Sequence, residues 1–355
     1  MKERGKALAN YLWIPALIFM LGILVYFHEF GHFVMAKLLK IKVEEFAFGF
    51  GPRPIRLFKR GDTEYTIHPI PLGGFVKLAG ENPGEPVTPG SMNSKPWYQR
   101  YLVYLAGPLA SFLLAYLIFC GMGMFAGVPS LNNRIDLVEH GSRAEAAGLR
   151  SGDRIVRING SQILTGDQLI EYVHKSIGKE LTITIDRGGK QVVLHATPGA
   201  RVIEGQRLGI LGFRPSVTLV RVGLISSVVE GTKYTKFVMM EIKTHLISKN
   251  IANEVGGPIA IASATRETVR RGIFDYIQLV AALSLSLGLV NLLPIPIMDG
   301  GQMVITMVEG IIRRRLSMRT LVIAQMVGLA AIGFIFISVM YLDLGRLFQH
   351  KLFTP

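Results

Sequence analysis

The chain of 355 residues holds one cysteine, Cys120, and only 18% of its residues are charged. A single thiol closes no intrachain disulfide and builds no thiolate zinc cluster, so disulfide scaffolds and zinc-finger modules are excluded. The low charge, set against 50% hydrophobic residues, excludes an ordinary soluble enzyme and points to a polytopic membrane protein. Acidic residues are scarce as well: 25 Asp and Glu face 39 Lys and Arg, a formal net charge of +14. Basic loops beside membrane spans account for that excess, since they set topology and attract anionic lipid; no nucleic-acid partner is expected. The chain also lacks internal repeats and low-complexity tracts, which argues against a transporter built from inverted halves.

What is abundant is apolar sequence. Four stretches, about 11–39, 101–126, 276–308 and 321–342, reach the ~20 residues needed to cross a hydrocarbon core. The first has no small-residue cleavage site and outruns the apolar core of a signal peptide, so a retained span is expected. Lys37, Lys40, Lys42, Arg53, Arg56, Lys59 and Arg60 follow it, and Arg313, Arg314, Arg315 and Arg319 separate the last two stretches. With four spans these loops share one side, which the positive-inside rule makes the cytoplasm. Both termini and residues 127–275 then lie outside, against the pull of Lys2, Arg4 and Lys6.

Set in the first stretch is His28-Glu29-Phe30-Gly31-His32. Histidines at i and i+4 share a helix face, so both imidazoles can reach one metal ion. The flanks offer no solvated face, and ionisable groups in a bilayer need partners. A matching candidate is Asp299 in Asn291-Leu292-Leu293-Pro294-Ile295-Pro296-Ile297-Met298-Asp299-Gly300-Gly301, a window whose prolines and glycines cannot continue a regular helix. Broken backbone at membrane depth is tolerated only where protein or a water-filled cavity satisfies it. His28 lies about 17 residues into its span, roughly 25 Å at 1.5 Å per residue. Asp299 lies a similar way into the third span, which enters from the same side, so the two segments are expected to meet.

The pairing of His28–His32 with the 291–301 window resembles the site-2 protease family of intramembrane zinc metalloproteases, near its bacterial RseP-like branch. Gly49-Phe50-Gly51-Pro52, Glu64-Tyr65, Ile70-Pro71-Leu72-Gly73-Gly74-Phe75-Val76-Lys77, Ala106-Gly107-Pro108-Leu109-Ala110 and Gly257-Pro258-Ile259 extend the resemblance, in family order, over nearly the whole chain. Ser111 stands where the family usually has Asn, and Met298 where it has Leu. The resemblance implies one zinc ion held by His28, His32 and Asp299, with a fourth position for water, and Glu29 as general base and acid. Asn291 would hold substrate, or else satisfy the kinked backbone. Gly31 leaves room for a neighbour's close approach.

A scissile carbonyl in a transmembrane helix must be unwound, and the freed groups need partners. Residues 46–51 and 63–76 are expected to supply them by strand addition, with Tyr65, Ile67, Gly73 and Gly74 as substrate-binding positions.

Residues 135–198 read as soluble. A short helix is expected over 144–149, a strand over 154–158 leading into an Asn159-Gly160 turn, a helix over 167–176, and strands at 181–185 and 191–194 around Gly188-Gly189. The run from Ala147 to Ile155 resembles PDZ domains of the bacterial protease-associated kind, so this module would bind extended peptides or substrate ectodomains, or else block bulky substrates sterically; RseP-type members often carry two, and this chain has room for one. Residues 217–249, with Lys233, Lys236, Lys243 and Lys249, predict an amphipathic helix on the outer membrane face.

The fold expected is thus a polytopic α-helical membrane protein of about four transmembrane helices. It carries a membrane-associated β-hairpin or loop region and one extracytoplasmic α+β PDZ domain. Domain limits are expected at 1–126, 127–215, 216–275 and 276–355. The function expected is zinc-dependent hydrolysis within single-span proteins of a bacterial inner membrane, such as anti-sigma factors after a first cut or remnant signal peptides. The alternative is a catalytically silent membrane scaffold that presents its PDZ domain, which would predict a degraded metal motif.

Overall fold

In lipid a backbone must satisfy its own hydrogen bonds, and the long apolar runs fold as helices. The computed structural model describes residues 2–82, 84–203, 206–247 and 256–348. Its helices in chain order are α1 (Lys2–Leu38), α2 (Trp97–Phe125), α3 (Arg143–Ala146), α4 (Gly166–Lys175), α5 (Leu224–Ile247), α6 (Pro258–Arg271), α7 (Ile273–Asn291), α8 (Asp299–Ile312) and α9 (Met318–Phe348). Tyr11–Leu38 of α1, together with α2, α7 and α9, is long and apolar enough to cross a membrane.

The third stretch, 276–308, is two helices. α7 stops at Asn291 and α8 restarts at Asp299, with Pro294 and Pro296 between them. Short turns re-satisfy the freed backbone: Ile295 N–H donates to the Leu293 carbonyl at 2.7 Å and Met298 N–H to that of Ile295 at 2.8 Å. The Gln302 side chain donates to the Pro296 carbonyl at 2.6 Å. Asp299 therefore opens a helix rather than riding inside one.

Between α1 and α2 the chain forms β1 (Val43–Phe50), β2 (Ile55–Arg60), β3 (Thr63–Ile67) and β4 (Ile70–Leu78), ordered β2-β3-β1-β4. β1 runs parallel to β3, and the other pairings are antiparallel. This order corrects the expected strand donors. β1 is flanked by β3 and β4 through Phe48, and β3 by β1 and β2, so neither residues 46–48 nor Tyr65 and Ile67 have a free edge. Burial of Val43, Phe46 and Ala47 holds β1 inside. Among the described residues the open edges belong to β2 and β4. One core joins these elements: Ala36 of α1, Val43 of β1, Leu78 of β4, Val103 and Tyr104 of α2 and Met303 of α8.

The chain divides into two compact units, Met1–Gly121 with Val228–Pro355, and Met122–Ser227. Within the second, β5 (Val128–Val138), β6 (Arg154–Ile158), β8 (Leu181–Arg187), β9 (Lys190–Ala196) and β12 (Phe213–Val220) form a sheet ordered β12-β5-β6-β8-β9, with β7 (Ser161–Gln162) beside β6. β10 (Gly199–Ile203) and β11 (Gln206–Ile210) pair as a hairpin. Ile135, Ile155, Ile158, Leu169, Leu181, Ile183 and Ile185 fill the core as the alternating pattern requires. The expected strand at 154–158, the turn at Asn159-Gly160 and the helix near 167–176 are all present. β12 pairs with β5, so this sheet runs past residue 215, and α5 begins at Leu224. Lys249, expected on that helix, lies outside the described residues.

Candidate metal centre

The i, i+4 spacing on α1 brings His28 Nε2 and His32 Nε2 to 3.3 Å. Asp299, first residue of α8, closes the group: its Oδ2 lies 2.9 Å from His28 Nε2 and its Oδ1 3.3 Å from His32 Nε2. Three donors on a tetrahedral zinc, with bonds of about 2.0–2.1 Å, stand about 3.3 Å apart. The observed spacings fit that ion.

Both ring orientations are set from behind. His32 Nδ1 lies 2.7 Å from the Val103 carbonyl, which only accepts, so Nδ1 carries the proton and Nε2 the free lone pair. His28 Nδ1 lies 3.0 Å from Ser111 Oγ. Space for an ion depends on α2: a Cβ at Gly107 would stand 2.2 Å from His32 Nε2 and 2.8 Å from His28 Nε2. Gly31 lets the helices close, since a Cβ there would be 2.2 Å from the Ala106 carbonyl oxygen.

Glu29 points into the same space. Its Oε2 accepts the Val76 N–H of β4 at 3.1 Å, and its ligand atom lies within 4.8 Å of those of His28 and His32. Asn291 closes α7 with its side-chain nitrogen 3.4 Å from His28 Nε2. A cavity of about 260 Å³ joins these groups, walled also by Val76 and Leu78 of β4, Tyr104 of α2 and Glu81. Glu81 stays open to solvent on one side. Elsewhere protein surrounds it, and burial pushes its carboxyl up to about 7 against the lowering effect of the Leu78 N–H.

The structure thus brings together His28, Glu29, His32, Asn291 and Asp299. Gly73 and Gly74 lie on the open strand β4, ahead of the part that walls the cavity. Tyr65 and Ile67 lie on an inner strand, and the Tyr65 ring stacks on Phe58 with centroids 4.4 Å apart, a packing role. Sequence reasoning missed Glu81 and Tyr104. Ala79-Gly80-Glu81 after a strand reads as a solvated turn, and only the docking of β4 onto α1 carries it to the cavity.

The sequence pattern of Peptidase family M50 matches residues 16–335. The chain belongs to the M50 peptidases. A Rickettsia conorii protein with a zinc-metalloprotease name is 32% identical over 95% of this chain and 100% of its own length. The Regulator of sigma-W protease RasP of Bacillus subtilis is 29% identical over 94% of this chain and 99% of its own, and Zinc metalloprotease RasP of Geobacillus kaustophilus 27% over 94% and 98%. This M50 peptidase is accordingly a zinc metalloprotease of the site-2 protease type. With four apolar helices and bacterial relatives, it is a multi-pass bacterial membrane protein. The PDZ domain of the SdrC-like protein of Listeria monocytogenes matches 25% of this chain and 90% of its own, at 21% identity and a TM-score of 0.21.

Proposed function

We propose that this M50 peptidase hydrolyses peptide bonds inside transmembrane segments of single-span proteins, at a zinc ion held by His28, His32 and Asp299. The observation that carries the reading is the convergence of three donors, 2.9–3.3 Å apart, from two helices of an apolar bundle. Bound zinc would supply a Lewis acid and lower the pKa of water towards ~7. Glu29 takes the proton from the attacking water and delivers it to the leaving amide nitrogen. The Val76 N–H holds one carboxylate oxygen of Glu29 and leaves the other for that proton. Asn291, at the cavity wall, hydrogen-bonds the substrate backbone.

The substrate segment, once unwound, pairs with the open edge of β4, with Gly73 and Gly74 among its binding positions. The site faces the cytoplasmic half of the bilayer, and the unit Met122–Ser227 lies outside as a PDZ-type module that meets peptides or substrate ectodomains. Substrates of this class include anti-sigma factors already trimmed outside and remnant signal peptides.

The test is metal content of the purified protein, wild type against His32→Ala and Asp299→Ala. About one zinc per chain is expected, lost in both variants. Glu29→Gln should keep the zinc and lose about 100- to 10,000-fold in cleavage of a single-span substrate. Zinc retained by Asp299→Ala would refute the ligand set.

A further inference from the structure

The two candidate histidine ligands are held from behind by different kinds of atom. The Val103 carbonyl behind His32 is backbone and accepts only, which fixes that ring whatever the side chain at 103. Behind His28 stands the Ser111 hydroxyl at 3.0 Å, which can donate or accept. Ser111 is fully buried on α2, and its own carbonyl accepts the Ser284 hydroxyl of α7 at 2.7 Å, which fixes this turn against the neighbouring helix.

We propose that Ser111 is a positioning residue of the metal centre: its hydroxyl accepts the Nδ1 proton of His28 and so keeps Nε2 free for the metal. The inference rests on the ligand set proposed above. Its physical reason is competition within one imidazole. Asp299 Oδ2, 2.9 Å from His28 Nε2, is an acceptor that draws the ring proton to Nε2. A proton there occupies the lone pair that the metal needs. Ser111 offers Nδ1–H a buried acceptor and tips the ring to the opposite tautomer. Without it, metal binding must first expel the Nε2 proton from its bond to Asp299, and affinity falls. Partners of this kind behind ligating histidines are generally worth about 10- to 100-fold in metal affinity.

The measurement is zinc affinity of the full-length protein in detergent, by competition with a chromophoric chelator. Ser111→Ala should bind zinc about 10- to 100-fold more weakly than wild type. Ser111→Thr and Ser111→Val add matched volumes and suffer the same packing strain, so their difference isolates the hydroxyl. Thr should bind more tightly than Val by a similar factor, and this pair decides if the Ala variant does not fold. Equal affinities for wild type and Ala, or for Thr and Val, would overturn the inference. His28→Ala separates the two levels of failure: zinc retained there sinks the ligand set, whereas zinc lost there but kept by Ser111→Ala sinks the role of Ser111 alone.

Discussion

Single atoms decide whether the metal centre exists. Gly107 faces both candidate ligand nitrogens, and Gly107→Ala would set a methyl group 2.2 Å from His32 Nε2. Neither ring can retreat, because their far nitrogens are held at 2.7 and 3.0 Å. Purified Gly107→Ala is therefore expected to fold without zinc, read by metal analysis beside a circular-dichroism spectrum that matches wild type. A second consequence of this kind concerns Asp153 in the unit Met122–Ser227. Burial by itself pushes that carboxyl up, but Arg187, bonded to both its oxygens at 2.8 Å, and the Arg150 N–H at 2.8 Å outweigh burial and leave it lowered. A carboxyl lower in the folded than the unfolded state stabilises the fold above the unfolded value, about 3.9, and that contribution is lost as pH falls through the folded one. Acidification below about pH 4 should lower the amide protection factors of β6 and β8 in the full chain. Asp153→Asn should lower them already at neutral pH and flatten the acid dependence.

Elements differ in how far pattern alone reveals them. The four long apolar helices were legible because a run like that of α2 has one stable outcome in lipid. The break before Asp299 was legible because proline removes a donor whatever surrounds it. The edges of the sheet were not. Tyr65 and Ile67 alternate as a strand should, but whether a strand is inner or outer depends on sheet order, which no local pattern encodes. β4 proves to be the open strand, and its Val76 N–H also holds Glu29, the proposed general base. Val76→Pro removes the N–H that Glu29 accepts, and cleavage should fall about 100-fold with zinc content unchanged; wild-type cleavage would show that Glu29 needs no such tether. The last helix has an anchor that composition hides as well. Asp343, buried in α9, accepts the N–H groups of Gly257, Ile259 and Ala260 at 3.0–3.2 Å and so caps α6 from another helix. Asp343→Ala should cost about 1 kcal/mol, seen as faster exchange of those amides.

Across the whole molecule, the reading from charge makes a statement about sides. In a Cys120→Ser background, a cysteine placed at Gly61 between β2 and β3 should react with an impermeant thiol reagent only after the inner membrane is opened. One placed at Gly188, in the β8–β9 turn, should react in spheroplasts without lysis. The reverse pattern would invert the proposed topology. What composition could not supply at this scale was Glu81 in the cavity wall, because its position follows from the docking of β4 and α1 and from no feature near residue 81. The distance along the chain between the halves of the site has a consequence in time. His28 and Asp299 are 271 residues apart, so a ribosome adding about 5–20 residues per second leaves the proposed site without its carboxylate for roughly 14–54 s. On the proposed ligand set the peptidase is inert until its own synthesis is nearly finished, a delay imposed by the order of residues along the chain.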